Sequence, residues 1–586
     1  MRSLLPTIFA ALLFLAPAIS SAQQLANNGA TQYSIASSGN SSPVVQTAIK
    51  ELANTLSKVT GAGFAVKNAS PAIRLRLAKQ TLAGGDQAFR IAGDGQDILI
   101  TANSPQGLLY GSTRFLEDYA GVHWFEPGEA TFKKQPNLKV QIEDRTYAPR
   151  FDYREVFYRH SDEPEFAAHN ALNGRFGHRR EQRLGEKLGG DTTVRQVDIF
   201  KLVPPEKYGK THPEYYGGGQ LRFANPEVRR IAGQRLKAML EAWDSKPDYI
   251  LIAHADRETY HRGGADAALI EKHNAPGAAY LQFVREIAGQ IKQPGTRILA
   301  QAYLWSRKPS QGMPALPDNM GVMLSGIERD FAKPMSAAVN QGFLKDLDGW
   351  AQLTQHIVVW DYITDFAGYI QPYPNIHTLA ANMRLLAERD AVEGVFAQGA
   401  YNSLGAEFAE LRTWVLAKLL WDPKRDSQAL IDTFVAGYYG PAAPYVGDYI
   451  KALQAAAERW SGKLEDKAQP DAGYLDAKFL QRADGLLKQA EAAAQAQPEY
   501  LTHVQNLRLS VDYAVLSNRT RLQGAGWVNT DERLARLERA LQQAKVSAYR
   551  EGGGADPQSL LQALAVDRSG GSTPDECAGI AQEKCR

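Results

Sequence analysis

Apolar runs that stop at a carboxylate recur through the middle of the chain. Residues 249–253 run into His254-Ala-Asp256-Arg-Glu258, residues 320–327 into Glu328, and residues 356–360 into Asp361 and then Asp365. Each run is the length of a strand and is followed by helix-like spacing. Such alternation predicts parallel strands in a β/α barrel, whose chemistry lies at the carboxyl ends of its strands. Eight strands are expected, over 150–158, 169–175, 197–202, 249–256, 297–305, 322–328, 357–361 and 394–399. Helical spacing fills 227–243, 278–291, 334–347 and 379–388.

The pattern differs on either side. Residues 23–42 are polar and read as a flexible segment. From 43 to 148 a helix (44–59), an alternating strand (73–77), a hairpin-like pair about Gly93-Asp-Gly95 and a second helix from Ser104-Pro105 predict a small α+β domain. Beyond 406 the chain is almost wholly helical to 550, rich in Ala, Leu, Gln and Glu, which predicts a helical bundle. Residues 551–586 read as a Gly-rich mobile tail. The expected fold is thus α/β: a small N-terminal α+β domain (43–148), a central (β/α)8 TIM-like barrel (149–406) and a C-terminal helical domain (407–550).

At 586 residues, two or three domains are needed. Charge narrows the partners. With 66 basic and 64 acidic side chains the formal net charge is +2, so no basic excess exists to neutralise nucleic-acid phosphates. Arg2, the apolar stretch 4–19 and Ser20-Ser21-Ala22 read as a secretory signal over residues 1–22, which implies a periplasmic or secreted protein. An anchored first helix is the alternative, but Pro6 and Pro17 interrupt a stretch already short of the ~20 residues a span needs. No later span is expected. The two cysteines, Cys577 and Cys585, can close a small loop in the tail.

Acidic groups at strand ends, with Trp and Tyr beside them, point to sugar cleavage, which takes two carboxyl groups across the scissile bond. Asp256, Glu258, Glu328 and Asp361 are the candidates. Asp256 and Glu258, two apart, share a face if the strand runs through both, and like charge would raise one pKa. Their bland alternative is pairing with Arg257 or Arg262. For Glu328 the alternative is an ion pair with Arg329 or Arg154, and for Asp361 a turn cap. Asp365, Glu407 and Glu410 read as structural, the last two at a helix start. Tyr158, Tyr303, Trp305, Trp360, Tyr362 and Tyr401 could stack on sugar faces or belong to the core. His254 could donate to a sugar hydroxyl or be held by backbone. The histidines His160, His169, His178 and His212 lack metal-ligand spacing, so neither a metal nor a cofactor is expected.

Several phrases carry a family resemblance. His212-Pro-Glu-Tyr-Tyr216, Gly326-Ile-Glu-Arg-Asp-Phe331, Trp360-Asp-Tyr-Ile-Thr-Asp-Phe366, Pro372-Tyr-Pro-Asn375 and Tyr438-Tyr-Gly-Pro-Ala-Ala443 resemble the bacterial domain of unknown function 4838. Gln106-Gly-Leu-Leu-Tyr-Gly111 and Gly121-Val-His-Trp-Phe-Glu-Pro-Gly128 resemble the small domain before the barrel in family 20 hexosaminidases and family 67 α-glucuronidases. Glycoside hydrolase family 163, endo-β-N-acetylglucosaminidases acting on N-glycans, is similar in this region. The resemblance covers residues 40–450. It implies an exported glycosidase whose partner is an oligosaccharide or polysaccharide containing an amino sugar or uronic acid. It also implies an acid in the eighth strand, where this chain has Ala397-Gln398. That departure keeps open a non-catalytic carbohydrate-binding protein on a degenerate glycosidase barrel. An envelope scaffold is a third reading.

Overall fold

The computed structural model describes residues 22–39, 42–177, 183–522 and 526–566. All of the expected signal but Ala22, His178 and the pair Cys577 and Cys585 lie outside those residues. The chain divides into two units, Met1–Val122 with Phe132–Ala148, and His123–Thr131 with Pro149–Arg586.

The first unit is a six-stranded mixed sheet carrying two helices. Strand Ser34–Ser38 pairs in parallel with Ala65–Val66 and Ala72–Leu77, which pairs with Asp97–Ala102. Phe89–Asp94 folds back antiparallel on Asp97–Ala102, with Gly95 at φ 62° in the turn. Helix Pro43–Thr60 begins where Ser42 accepts from the Val45 N–H and stops at Gly61, φ 78°. Helix Pro105–Ala120 starts in the same way at Ser104 and rides close on the sheet, since a Cβ at Gly111 would lie 2.7 Å from Ile100. The segment expected to be flexible is instead part of this unit. Gln23–Gln24 pairs with Lys139–Val140, and Leu25, Tyr33 and Ile35 are buried. The polar residues among them obscured that apolar spacing.

The second unit holds an eight-stranded parallel barrel. Its strands are Tyr153–Phe157, Gly174–Phe176, Thr192–Asp198, Tyr249–Ala253, Arg297–Ala302, Met320–Ser325, Ile357–Tyr362 and Val392–Gln398, taken below as first to eighth. The ladder runs from the second strand round to the eighth and on to the first. Side chains close the remaining seam. Asn173 accepts from the Arg154 N–H at 3.0 Å and donates to the Asp152 carbonyl at 2.8 Å. Gly174 allows the approach, because a Cβ there would sit 2.7 Å from that of Glu155. Tyr153, Phe176, Val194, Tyr249, Leu251, Leu299, Met323, Val358 and Phe396 fill the interior. The second strand is shorter than expected, and the third begins and ends earlier, with Ile199–Leu202 helical.

Helices Ala409–Trp421, Ser427–Tyr439, Ala443–Arg459, Ala477–Ala494, Pro498–Ser517 and Thr530–Gln543 follow. The start of the supposed mobile tail is packed: helix Pro557–Val566 places Leu560 and Leu564 in a core with Ile370, Leu516 and Leu537. Glycines at 552–554 hid a helix whose apolar spacing resumes at Leu560. Among the described residues no helix is long and apolar enough to cross a membrane.

Candidate active site

Side chains alternate across a strand, so each barrel strand sends every second residue inward. In the seventh strand Val358 lies in the interior and Trp360 packs against it, so Tyr362 follows on the same face. The same phase brings Gln196 and Asp198, Gln301 and Tyr303, Met323 and Ser325, and Gln398 to the carboxyl end of the barrel. There they line a pocket of about 280 Å³ with His254, Asp256 and Phe366. Trp360 is held by its indole N–H, which donates to Gln398 Oε1 at 2.7 Å. Ser325 and Tyr362 share a hydroxyl hydrogen bond of 3.2 Å.

Four carboxylates reach this pocket: Asp198, Asp256, Asp466 and Glu551. Asp198 ends the third strand and caps the next turn, accepting from the Phe200 N–H at 2.7 Å. Asp256 sits in the loop beyond the fourth strand and lines the pocket beside Tyr303, whose hydroxyl feels its charge. Asp466 and Glu551 come from the helical region, strapped over the mouth by the loop after the seventh strand. The Phe366 N–H donates to the Asp466 carbonyl at 2.7 Å, and the Glu551 N–H to the Phe366 carbonyl at 2.9 Å. Asp365 secures the first strap by accepting from the N–H groups of Ala367 and Ala468, at 2.9 and 3.1 Å. Tyr401 secures the second by donating to Glu551 at 3.2 Å.

Burial pushes the Asp466 carboxyl above its ordinary pKa; Lys467 opposes this, while Glu465 and Glu551 add to it. Burial likewise raises the Tyr303 and Tyr362 hydroxyls, and both feel Asp256 as well as Asp466. The two carboxylates therefore act on the same pair of phenols. Outside the pocket a wider cleft of about 700 Å³ continues from Asp256 and Tyr303 past Arg257, Glu258, Lys467 and Arg550.

The expected site residues separate into three groups. Asp256, His254, Tyr303, Trp360 and Tyr362 line the pocket, and Glu258 lines only the outer cleft. The strand stops at Ala253, so Asp256 and Glu258 are loop residues and strand alternation does not align them. His254 Nε2 meets Ser306 Oγ at 2.8 Å and Nδ1 the Ala255 carbonyl at 3.0 Å, and burial lowers its pKa, which makes it a neutral wall.

The rest face elsewhere. Asp361 follows Trp360 by one residue, so it points out of the barrel, buried against the guanidinium of Arg329. Glu328 lies past the end of the sixth strand, outside the pocket lining, half-exposed and paired with Arg307. Trp305 is carried behind the wall by a 3-10 turn, its indole N–H donating to the Arg257 carbonyl at 3.2 Å. Tyr158 is buried and donates to the Ile363 carbonyl at 3.3 Å. Tyr401 acts through Glu551. Among the described residues, no group of His, Cys, Asp and Glu could hold a metal ion.

A family model described as a domain of unknown function, DUF4838, matches residues 127–451. The chain belongs to the DUF4838 family. The match takes in the barrel with Asp198 and Asp256, whereas Asp466 and Glu551 lie beyond it. No curated protein matches the sequence. Among solved structures, the chain resembles a GH138 enzyme targeting pectin rhamnogalacturonan II, with 11% identity, TM-score 0.51 and coverage of 91% of this chain and 98% of that one. It also resembles a family GH115 4-O-methyl-α-glucuronidase with specificity for decorated arabinogalactans (11% identity, TM-score 0.52, 89% and 77% covered). A third likeness is to CpGH89 from Clostridium perfringens, in complex with its substrate GlcNAc-α-1,4-galactose (11% identity, TM-score 0.54, 89% and 69% covered). The DUF4838 chain thus has a glycoside-hydrolase fold.

Proposed function

We propose that this DUF4838 protein is an exported glycoside hydrolase that cleaves a glycan containing an amino sugar or a uronic acid. Export rests on Arg2, the apolar stretch 4–19 and Ser20-Ser21-Ala22. The observation that carries the catalytic reading is the pairing of Asp256 and Asp466 about Tyr303 and Tyr362 in an aromatic-walled pocket at the strand ends.

Asp466 is the general acid. Its raised pKa keeps a proton available for the leaving glycosidic oxygen as the C–O bond breaks. Asp256, beside the Tyr303 hydroxyl, works on the anomeric carbon. It either takes the proton of the attacking water or forms a glycosyl ester that water then opens. Trp360, Tyr362 and Phe366 offer faces to the apolar C–H sides of a sugar ring, and Gln196, Gln301 and Ser325 offer hydrogen bonds to its hydroxyls.

A screen of the purified protein against aryl glycosides and purified glycans tests this, with product anomers followed by NMR. On a natural leaving group, Asp466→Asn and Asp256→Asn should each cost on the order of 10²–10⁴ in kcat. On an activated aryl leaving group Asp466→Asn should cost much less. Turnover that survives both changes would refute the assignment.

Gln398 favours a second reading, a carbohydrate-binding protein. It stands where relatives were expected to carry an acid and is engaged by Trp360. Saturable calorimetric binding of a glycan that is never cleaved would decide for that reading.

A further inference from the structure

A second cavity, of about 380 Å³, lies beside the loop that follows the eighth strand. Helices Ser427–Tyr439 and Pro498–Ser517 form its other walls. It shares no lining residue with the mouth pocket or the outer cleft. We propose that this cavity is a binding site for a small ammonium ligand, recognised by Glu410, Glu407, Asn506 and His160 beside the rings of Tyr438 and Tyr439.

Unsatisfied acceptors carry the proposal. Glu407 is 3% exposed; Arg412 takes its Oε2 at 2.6 Å, yet Oε1 has no partner. Asn506 Oδ1 is also buried without one. His160 is 6% exposed, and its Nε2 has none either. Buried polar atoms are nearly always paired, so several orphans lining one cavity mark a place where a ligand supplies the missing groups. An ammonium brings three donors and no acceptor, which matches a surplus of oxygens.

Charge points the same way. Glu126 accepts from the Tyr438 hydroxyl at 3.0 Å and pairs with His503 at 3.3 Å, and Glu407 is balanced by Arg412. Lys545 is exposed at the rim. Glu410 remains, and the cation acting on it is His503, already engaged by Glu126. One ligand cation would neutralise Glu410, with the tyrosine faces adding cation–π attraction.

The cavity also sets a pH dependence. Burial, with help from Glu126, pushes Glu410 up to about 7. His503 is raised by its hydrogen bond to Glu126, although burial alone would lower it. Burial lowers His160 to about 4, so it stays neutral, and burial holds the Tyr438 and Tyr439 hydroxyls protonated. As pH rises from 6 to 8, Glu410 gains charge, so binding of an ammonium that stays charged over this range tightens by about tenfold.

Titration calorimetry of the full chain at pH 6, 7 and 8 tests this with putrescine and with glucosamine. Glucose, N-acetylglucosamine and matched NaCl serve as controls. Binding of either amine that weakens at least tenfold in Glu410→Gln and persists in Asp256→Asn is expected, and putrescine, whose ammonium groups stay charged over this range, should bind more tightly as pH rises. Which amine binds more tightly tells a linear amine from an amino sugar. If Glu410→Gln fails to fold, Asn506→Leu, which removes one acceptor and fills space, should weaken binding in its place. No binding of either amine at millimolar concentration would overturn the proposal. So would equal binding of the neutral sugars, weakening of putrescine binding as pH rises, or loss of binding in Asp256→Asn.

Discussion

Asp361→Asn separates a structural carboxylate from a catalytic one. Asp361 and Arg329 are each 2% exposed and form an ion pair on the outward face of the seventh strand. Asp361 Oδ1 also accepts from the Tyr362 N–H at 2.8 Å, while Arg329 donates from Nε to the Gly326 carbonyl at 3.1 Å. The guanidinium lies over Phe331 and Phe343, at 4.9 and 5.2 Å from their centroids. Asparagine keeps the shape and the acceptor but leaves this cation buried without a counter-charge. Breaking a buried pair from one side costs ~3–5 kcal/mol. With a urea m-value of ~3 kcal/mol/M, the unfolding midpoint should fall by ~1–1.7 M. Replacing both partners by apolar residues, Arg329→Met with Asp361→Leu, should recover most of that loss, since the desolvation penalty goes with the pair. The measurement is urea unfolding by tryptophan fluorescence, alongside turnover at 25 °C in the absence of urea. Folded Asp361→Asn should keep its activity. A variant of wild-type stability with no turnover would refute this reasoning and restore Asp361 to the chemistry.

Glu328→Gln should be nearly silent. Its partner Arg307 retains Asp346 at 2.7 Å, and a half-exposed pair is worth no more than ~1 kcal/mol, so a loss of more than half the turnover on any confirmed substrate would place Glu328 back in the site. The pH profile should report Asp466: because its pKa is raised, the acid stays protonated beyond the ordinary carboxylate range, and kcat/KM falls as pH rises through that raised value. Asp466→Asn should abolish this alkaline limb on activated substrates, and an unchanged limb in that variant would assign it to another group.

The barrel was legible because its strands announce themselves. Runs such as 249–253 and 320–325 are apolar on both faces, as strands covered by helices must be. What such runs conceal is phase. With no polar face to mark inside from outside, Asp361, near the end of the seventh strand, could point either way. The structure turns Asp361 outward while Trp360 and Tyr362 face the pocket. Strand length was misjudged as well: the fourth and fifth strands were expected to reach Asp256 and Trp305, but their ladders stop at Ala253 and Ala302. Asp198 carries the opposite difficulty. It ends a strand at a carboxylate, as the other candidates were expected to do, but Thr192, Thr193, Arg195 and Gln196 make that strand polar and disguised it.

No local signal could have brought Asp466 and Glu551 to the barrel mouth. Asp466 lies between two helices and Glu551 in a Gly-rich stretch, and neither follows an apolar run. Their placement depends on pairing with a loop far away in sequence: Asp466 and Glu551 both reach Phe366 through backbone hydrogen bonds, and Asp365 ties the first strap by its side chain. The Trp360-to-Phe366 phrase therefore has a physical role other than presenting an acid. It supplies the rings of the pocket and the hydrogen-bonding edge on which the helical region is hung. Two of the four carboxylates come from beyond residue 451, where the DUF4838 match ends. A barrel defined by that match keeps Asp198 and Asp256 but lacks the carboxyl whose raised pKa suits it to protonate a leaving group. On the proposed reading, then, the helical region completes the site.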